Sequence, residues 1–130
     1  MADQTHQSER LESGPREIAR LNDCLREHIA SPGNDRVVMT VGVAELIGDV
    51  ALFRGFRKRA EVLRAVRDFD TFGPSIDPYG EHDMGSFDFE GTRCFWKIDY
   101  YNLAMSAGSE NPADPSITTR LLTIMRADER

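Results

Sequence analysis

At 130 residues, 40% hydrophobic and 29% charged, the chain fits one soluble domain able to bury a core without staples. Two cysteines, Cys24 and Cys94, are too few for a disulfide framework and read as reduced thiols in a cytoplasmic protein. The net charge of −6 is uneven: six bases against three acids over residues 50–70 (+3), but two against eight over 71–114 (−6), which disfavours a phosphate backbone at the latter.

Residues 1–12 are polar and read as a disordered tail, leaving 13–130 as a single α+β domain. Ser13-Gly14-Pro15-Arg16-Glu17 has a capping serine and an early proline, the pattern of a helix start. Ile18, Leu21, Leu25 and Ile29 then share one helical stripe, which Ser31-Pro32-Gly33-Asn34 stops. Arg36 to Val43 is rich in β-branched residues and reads as the first strand. Gly42 and Gly48 flank a short irregular piece. A second helix is expected from about Val50 to Phe69, with Phe53, Phe56, Ala60, Leu63, Val66 and Phe69 on its inner face. Gly73-Pro74 ends it, and Asp77-Pro78-Tyr79-Gly80 reads as a turn.

Glu90-Gly91 lies between two runs of aromatic and branched residues, a tight-turn signal. A two-residue loop sets Phe89 opposite Thr92, Phe87 opposite Cys94, Gly85 opposite Trp96 and Asp83 opposite Ile98. These pairs share one apolar face, on which Trp96 fills the space over Gly85. The other face pairs Asp88 with Arg93, Ser86 with Phe95, Met84 with Lys97 and His82 with Asp99. A three-residue loop would shift this register by one. Residues 107–116 read as a loop. Thr118 to Arg126 is the last strand, apolar on both parities as if covered on both sides. The expected architecture is a four-stranded, mainly antiparallel sheet with two helices packed on one face. Trp96, Ile98, Phe87, Phe89, Leu63, Phe56 and Leu122 are its expected core. No charged-then-apolar leader and no long apolar run is visible, so neither secretion nor membrane spanning is expected.

The chemistry concentrates in Asp77-Pro78-Tyr79-Gly80-Glu81-His82-Asp83 and Trp96-Lys97-Ile98-Asp99-Tyr100-Tyr101. Glu81, His82, Asp83, Lys97 and Asp99 are expected to form one connected polar surface at the end of the hairpin, suited to binding. His82 opposite Asp99, with Cβ atoms about 5 Å apart, could be a general base and its orienter, with Ser86 as a nucleophile along the same face. The same pair could equally hold the register. Glu81, His82 and Asp83 are weak candidates for metal ligands, because consecutive strand residues diverge. No metal and no other cofactor is expected. The basic residues Arg54, Arg57, Lys58, Arg59, Arg64 and Arg67 make residues 50–70 a weak candidate for nucleic acid, without an interleaved aromatic platform.

Several motifs resemble, in order, a family of short bacterial proteins catalogued only as a domain of unknown function. They are Arg36-Val37-Val38-Met39-Thr40 with Gly42-Val43, Asp77 to Asp83, Phe95 to Tyr101, Pro112-Ala113-Asp114-Pro115 and Leu122-Thr123-Ile124-Met125. The resemblance spans roughly residues 18–129. It departs from the family at Ile76, Met84 and Arg126, and in a longer, more basic helix from Val50. The resemblance implies a setting on plasmids and prophages, near anti-restriction and other accessory genes. Two functions of different class follow. One is a non-enzymatic acidic protein that engages a host protein, as an accessory or anti-defence factor. The other is a small hydrolase or metal-dependent enzyme using Glu81, His82, Asp83 and Asp99.

Overall fold

The computed structural model describes the backbone of residues 2–130 and the side chains of residues 14–130. Its elements are α1 (Ala2–Glu27), β1 (Arg36–Met39), α2 (Val41–Ile47), α3 (Phe53–Arg67), β2 (Met84–Phe89), β3 (Thr92–Tyr101), β4 (Thr119–Arg126) and a closing 3-10 turn, Ala127–Glu129. Pro15 lies inside α1 and does not mark its start. The expected disordered tail over residues 1–12 falls outside the fully described residues. No helix among the described residues is long and apolar enough to cross a membrane.

The fold is α+β, with strands in the order β1-β4-β3-β2. The sheet is mixed, a correction to the mainly antiparallel expectation. β1 runs parallel to β4, while β4–β3 and β3–β2 are antiparallel. Among the described residues the α-helices number three, not the expected two, because the irregular piece after β1 forms α2. β1 therefore ends at Met39 and does not continue to Val43. Its successor Thr40 takes the extended N-cap conformation, and the Glu129 carboxylate receives the free donors there. Glu129 accepts from the Thr40 hydroxyl at 2.6 Å, the Gly42 amide at 2.9 Å and the Arg126 amide at 2.9 Å. Those bonds, with the Thr40 hydroxyl foremost, lower the Glu129 pKa. A lowered carboxylate stabilises the fold above its unfolded value and loses that contribution as pH falls through its folded value. Glu129→Gln should therefore lower Tm at neutral pH. The gap to the wild type should close below the ordinary value of 4.5, as read by thermal unfolding from pH 3 to 7 (about the range over which carboxylates titrate).

The hairpin register is the expected one throughout β2 and β3, from Phe89–Thr92 to Met84–Lys97. Glu90 and Gly91 have φ of 49° and 77°, the two left-handed residues of a type I′ turn. Cys94, Trp96 and Ile98 of β3 and Leu122 and Ile124 of β4 lie on one sheet face. They pack against Leu25 and Ile29 of α1 and its end, Val43 and Ile47 of α2, and Val62, Leu63 and Val66 of α3. Trp96 is fully buried. A Cβ on Gly85 would lie 2.7 and 2.8 Å from its Cε2 and Cζ2. The missing side chain at Gly85 is thus the indole's seat.

The inner face of α3 differs from the apolar stripe. Phe53 and Phe56 are 75% and 61% exposed, whereas Gly55, Val62, Leu63 and Val66 are buried. Gly55 turns the helix this way. A Cβ there would collide with the Asp49 carbonyl, so the helix and the loop before it meet at a residue without a side chain. Phe56 leaves the expected core, and Phe87 is half-buried. The remaining members are buried.

Candidate functional site: a polar cluster at the end of the hairpin

The β2–β3 ladder ends at Met84–Lys97, with one further bond from the Ile98 amide to the Asp83 carbonyl at 2.8 Å. Beyond it the chain turns. His82 has φ of 55°, a left-handed conformation that histidine adopts more readily than most residues. The turn carries the imidazole to the helix-covered side, away from Asp99. His82 Nδ1 donates to Asp23 of α1 at 3.0 Å. Its ring stacks on Phe72 with centroids 4.0 Å apart and planes 3° from parallel. Its Nε2 lies 4.0 Å from Asp77. The expected His82–Asp99 pair does not form: Asp99 instead pairs with Lys97 at 3.1 Å on the opposite sheet face.

Asp77 builds the loop. It is buried, and its carboxylate accepts the Glu81 amide at 2.9 Å and the His82 amide at 3.2 Å. Asp23 Oδ1 also accepts Arg26 Nη2 at 3.0 Å. Arg26 is itself buried, with its guanidinium 5.0 and 5.2 Å from the ring centroids of Trp96 and Phe72. Its other terminal nitrogen donates to the Val66 carbonyl at 2.9 Å and the Phe69 carbonyl at 2.7 Å, closing the C-terminus of α3.

A second set of bonds lies beside the first. Asn22, fully buried, donates to the Glu81 carbonyl at 3.0 Å and the Tyr100 hydroxyl at 2.9 Å. The Tyr100 hydroxyl donates to Glu81 Oε2 at 3.1 Å. Arg120 Nε donates to Asn22 Oδ1 at 2.8 Å, and Arg120 Nη2 to the Pro112 carbonyl. Burial pushes the Tyr100 hydroxyl far above its ordinary value, so it stays protonated and a donor at neutral pH. Burial also lowers Arg120.

Asp83 is half-buried at the same end. Its pKa is raised, first by burial, then by Glu81, and less by Asp77 and Asp99. Among the described residues, neither Glu81 nor Asp83 has a Lys or Arg nitrogen within 4.0 Å. Lys97 is paired with Asp99 and Arg26 with Asp23. The expected single surface thus divides in two. Glu81, His82 and Asp83 belong with Asp23, Asp77 and Tyr100, and Lys97–Asp99 forms a separate pair. Ser86 is also apart from His82, on the Phe95 side, where its hydroxyl accepts from Arg93 at 3.3 Å. Among the described residues no group of three His, Cys, Asp or Glu side chains is placed to hold a metal ion.

Asn22, Asp23, Arg26, Phe72 and Arg120 are not among the sequence candidates, and Tyr100 lies in the stretch 96–101 without being named there as a site residue. For Asn22 and Arg26 a signal existed. They sit at i+4 and i+8 from Ile18, on the apolar stripe of α1, where a polar residue must find a partner.

Comparison with curated proteins and comparison with solved structures each return no match. The sequence pattern of one protein family matches residues 39–129, which cover β2, β3 and β4 in full but only the last residue of β1. The chain belongs to that family, described as Protein of unknown function (DUF3768).

Proposed function

We propose that this is a non-enzymatic binding protein that engages a basic element of a host protein through Glu81 and Asp83. One observation carries the reading. Asp83 is half-buried beside the like charges of Glu81, Asp77 and Asp99, and among the described residues neither it nor Glu81 has a Lys or Arg nitrogen within 4.0 Å. At Asp83 the scaffold gains nothing from that arrangement, because a half-buried carboxylate without a counter-charge costs stability. A cationic partner side chain placed there would relieve the repulsion and form charge-assisted hydrogen bonds.

The Asp23–His82 pair could orient an imidazole for proton transfer, as a hydrolase requires. Its geometry favours a structural task. The ring is clamped between Asp23, Asp77 and Phe72, and Ser86 sits on the other sheet face. The accessory or anti-defence setting rests on the family resemblance alone and indicates where a partner should be sought.

The test is a pull-down from host lysate after nuclease treatment, with wild type and Glu81→Gln/Asp83→Asn as paired baits. The reading expects a discrete protein retained by the wild type and lost at least tenfold with the double variant. Equal capture by both baits, or none by either, would refute it.

A further inference from the structure

We propose that the outward face of α3 binds single-stranded nucleic acid, stacking bases on Phe53 and Phe56 and holding phosphates with Arg57 and Arg64. The face is a product of the fold. With Gly55, Val62 and Val66 turned inward, the helical period places Phe53, Phe56, Arg57, Ala60, Arg64 and Arg67 on one outward stripe about 21 Å long. Two aromatic rings stand in solvent at one end, 75% and 61% exposed. Such exposure is unusual for phenylalanine outside a binding surface. Arginines follow them along the stripe.

These arginines are uncommitted. Among the described residues Arg54, Arg57, Arg59 and Arg64 have no carboxylate within 4.0 Å, whereas Lys58 is paired with Glu90 and Arg67 with Asp68. The Arg57 guanidinium lies 5.8 Å from the Phe53 ring centroid, so charge and ring already act as a unit. A groove of about 330 Å³ runs beside the stripe, floored by Ile29, Ala60 and Leu63 and rimmed by Arg59 and Arg64. Its volume suits a planar base with its phosphate outside.

Exposed ring faces decide between partners. An intact duplex hides its base faces, so Phe53 and Phe56 would have nothing to stack on, whereas a single strand offers a face at every residue. An acidic polypeptide would satisfy the arginines but not the rings. The rest of the chain carries −9 (−6 overall less the +3 of residues 50–70), so a strand is repelled elsewhere and its footprint is confined to α3. Binding is therefore weak and strongly dependent on salt. This site is separate from the carboxylates at the hairpin end and stands independently of their function.

Fluorescence anisotropy with a labelled oligothymidylate tests the assignment on the full chain. Phe53→Ala/Phe56→Ala and Arg57→Gln/Arg64→Gln alter exposed positions, and far-UV circular dichroism checks that each variant stays folded. Each pair should weaken binding at least tenfold. Wild-type affinity should fall with salt at a logarithmic slope of about −1.4, as for roughly two phosphate contacts. Three results would overturn the proposal: no binding at low salt, undiminished binding by the phenylalanine variant, or a duplex or polyglutamate competing as well as the unlabelled single strand.

Discussion

Trp96→Ala should cost about 3–5 kcal/mol in chemical denaturation, the range for removing a large buried aromatic. Trp96 is fully buried and belongs to the core cluster shared by the sheet and the three helices. Phe69 and Phe72 meet its ring edge-to-face, at 5.7 and 6.2 Å between centroids, and Arg26 covers it. Gly85 beneath it cannot move in to fill the void, because its strand is held by the β2–β3 ladder. Trp96→Phe should cost much less. The indole N–H has no hydrogen-bond partner among the described residues, so its removal forfeits no bond. A loss below about 1 kcal/mol for the alanine variant, the level of a modest surface effect, would show that this face is not the core.

Arg120→Ala should cost about 2–4 kcal/mol. The arginine is 2% exposed yet sits at the core-facing register of β4, opposite Tyr100. Its removal leaves Asn22 Oδ1 and the Pro112 carbonyl without a donor, at about 1–3 kcal/mol each, offset in part by relief of a buried charge. Arg120→Ala combined with Asn22→Leu should lose less than the summed singles, because one shared bond is counted twice in the sum. Strict additivity in urea denaturation would show that the two side chains act independently.

What was legible from sequence follows how local each cause is. The hairpin register could be counted because Glu90-Gly91 declares its turn type and aromatic alternation carries the rest. The same counting failed one residue past the ladder. It assumed an extended chain at His82, whereas Asp77, five residues earlier, bonds the His82 amide and turns the backbone over. The partner that then receives the imidazole, Asp23, is 59 residues away on α1, a distance no local pattern spans. α2 was hidden for a similar reason. Its N-terminus is satisfied by Glu129 from the other end of the chain. The parallel pairing of β1 with β4 is likewise a choice among strand neighbours that neither strand's own residues encode. On α3 the apolar period placed Leu63 and Val66 correctly but carried Phe53 and Phe56 inward, because a glycine, not the phenylalanines, sets the close approach at that end.

Glu81 and Asp83 are proposed to be kept for recognition, Asp83 at a cost to the fold. Equilibrium denaturation of Glu81→Gln/Asp83→Asn against the wild type, from pH 3 to 7 (about the carboxylate range), tests this most directly. A carboxyl whose folded pKa is raised disfavours folding above that value and ceases to do so as pH falls toward its ordinary value of 3.8. The Gln side chain can still accept from the Tyr100 hydroxyl, so no donor is orphaned. The variant should therefore be at least as stable as the wild type at pH 7, with any advantage shrinking toward about pH 4. A loss of more than about 1 kcal/mol at pH 7, the worth of an ordinary hydrogen bond, would make these carboxylates part of the scaffold and contradict the account.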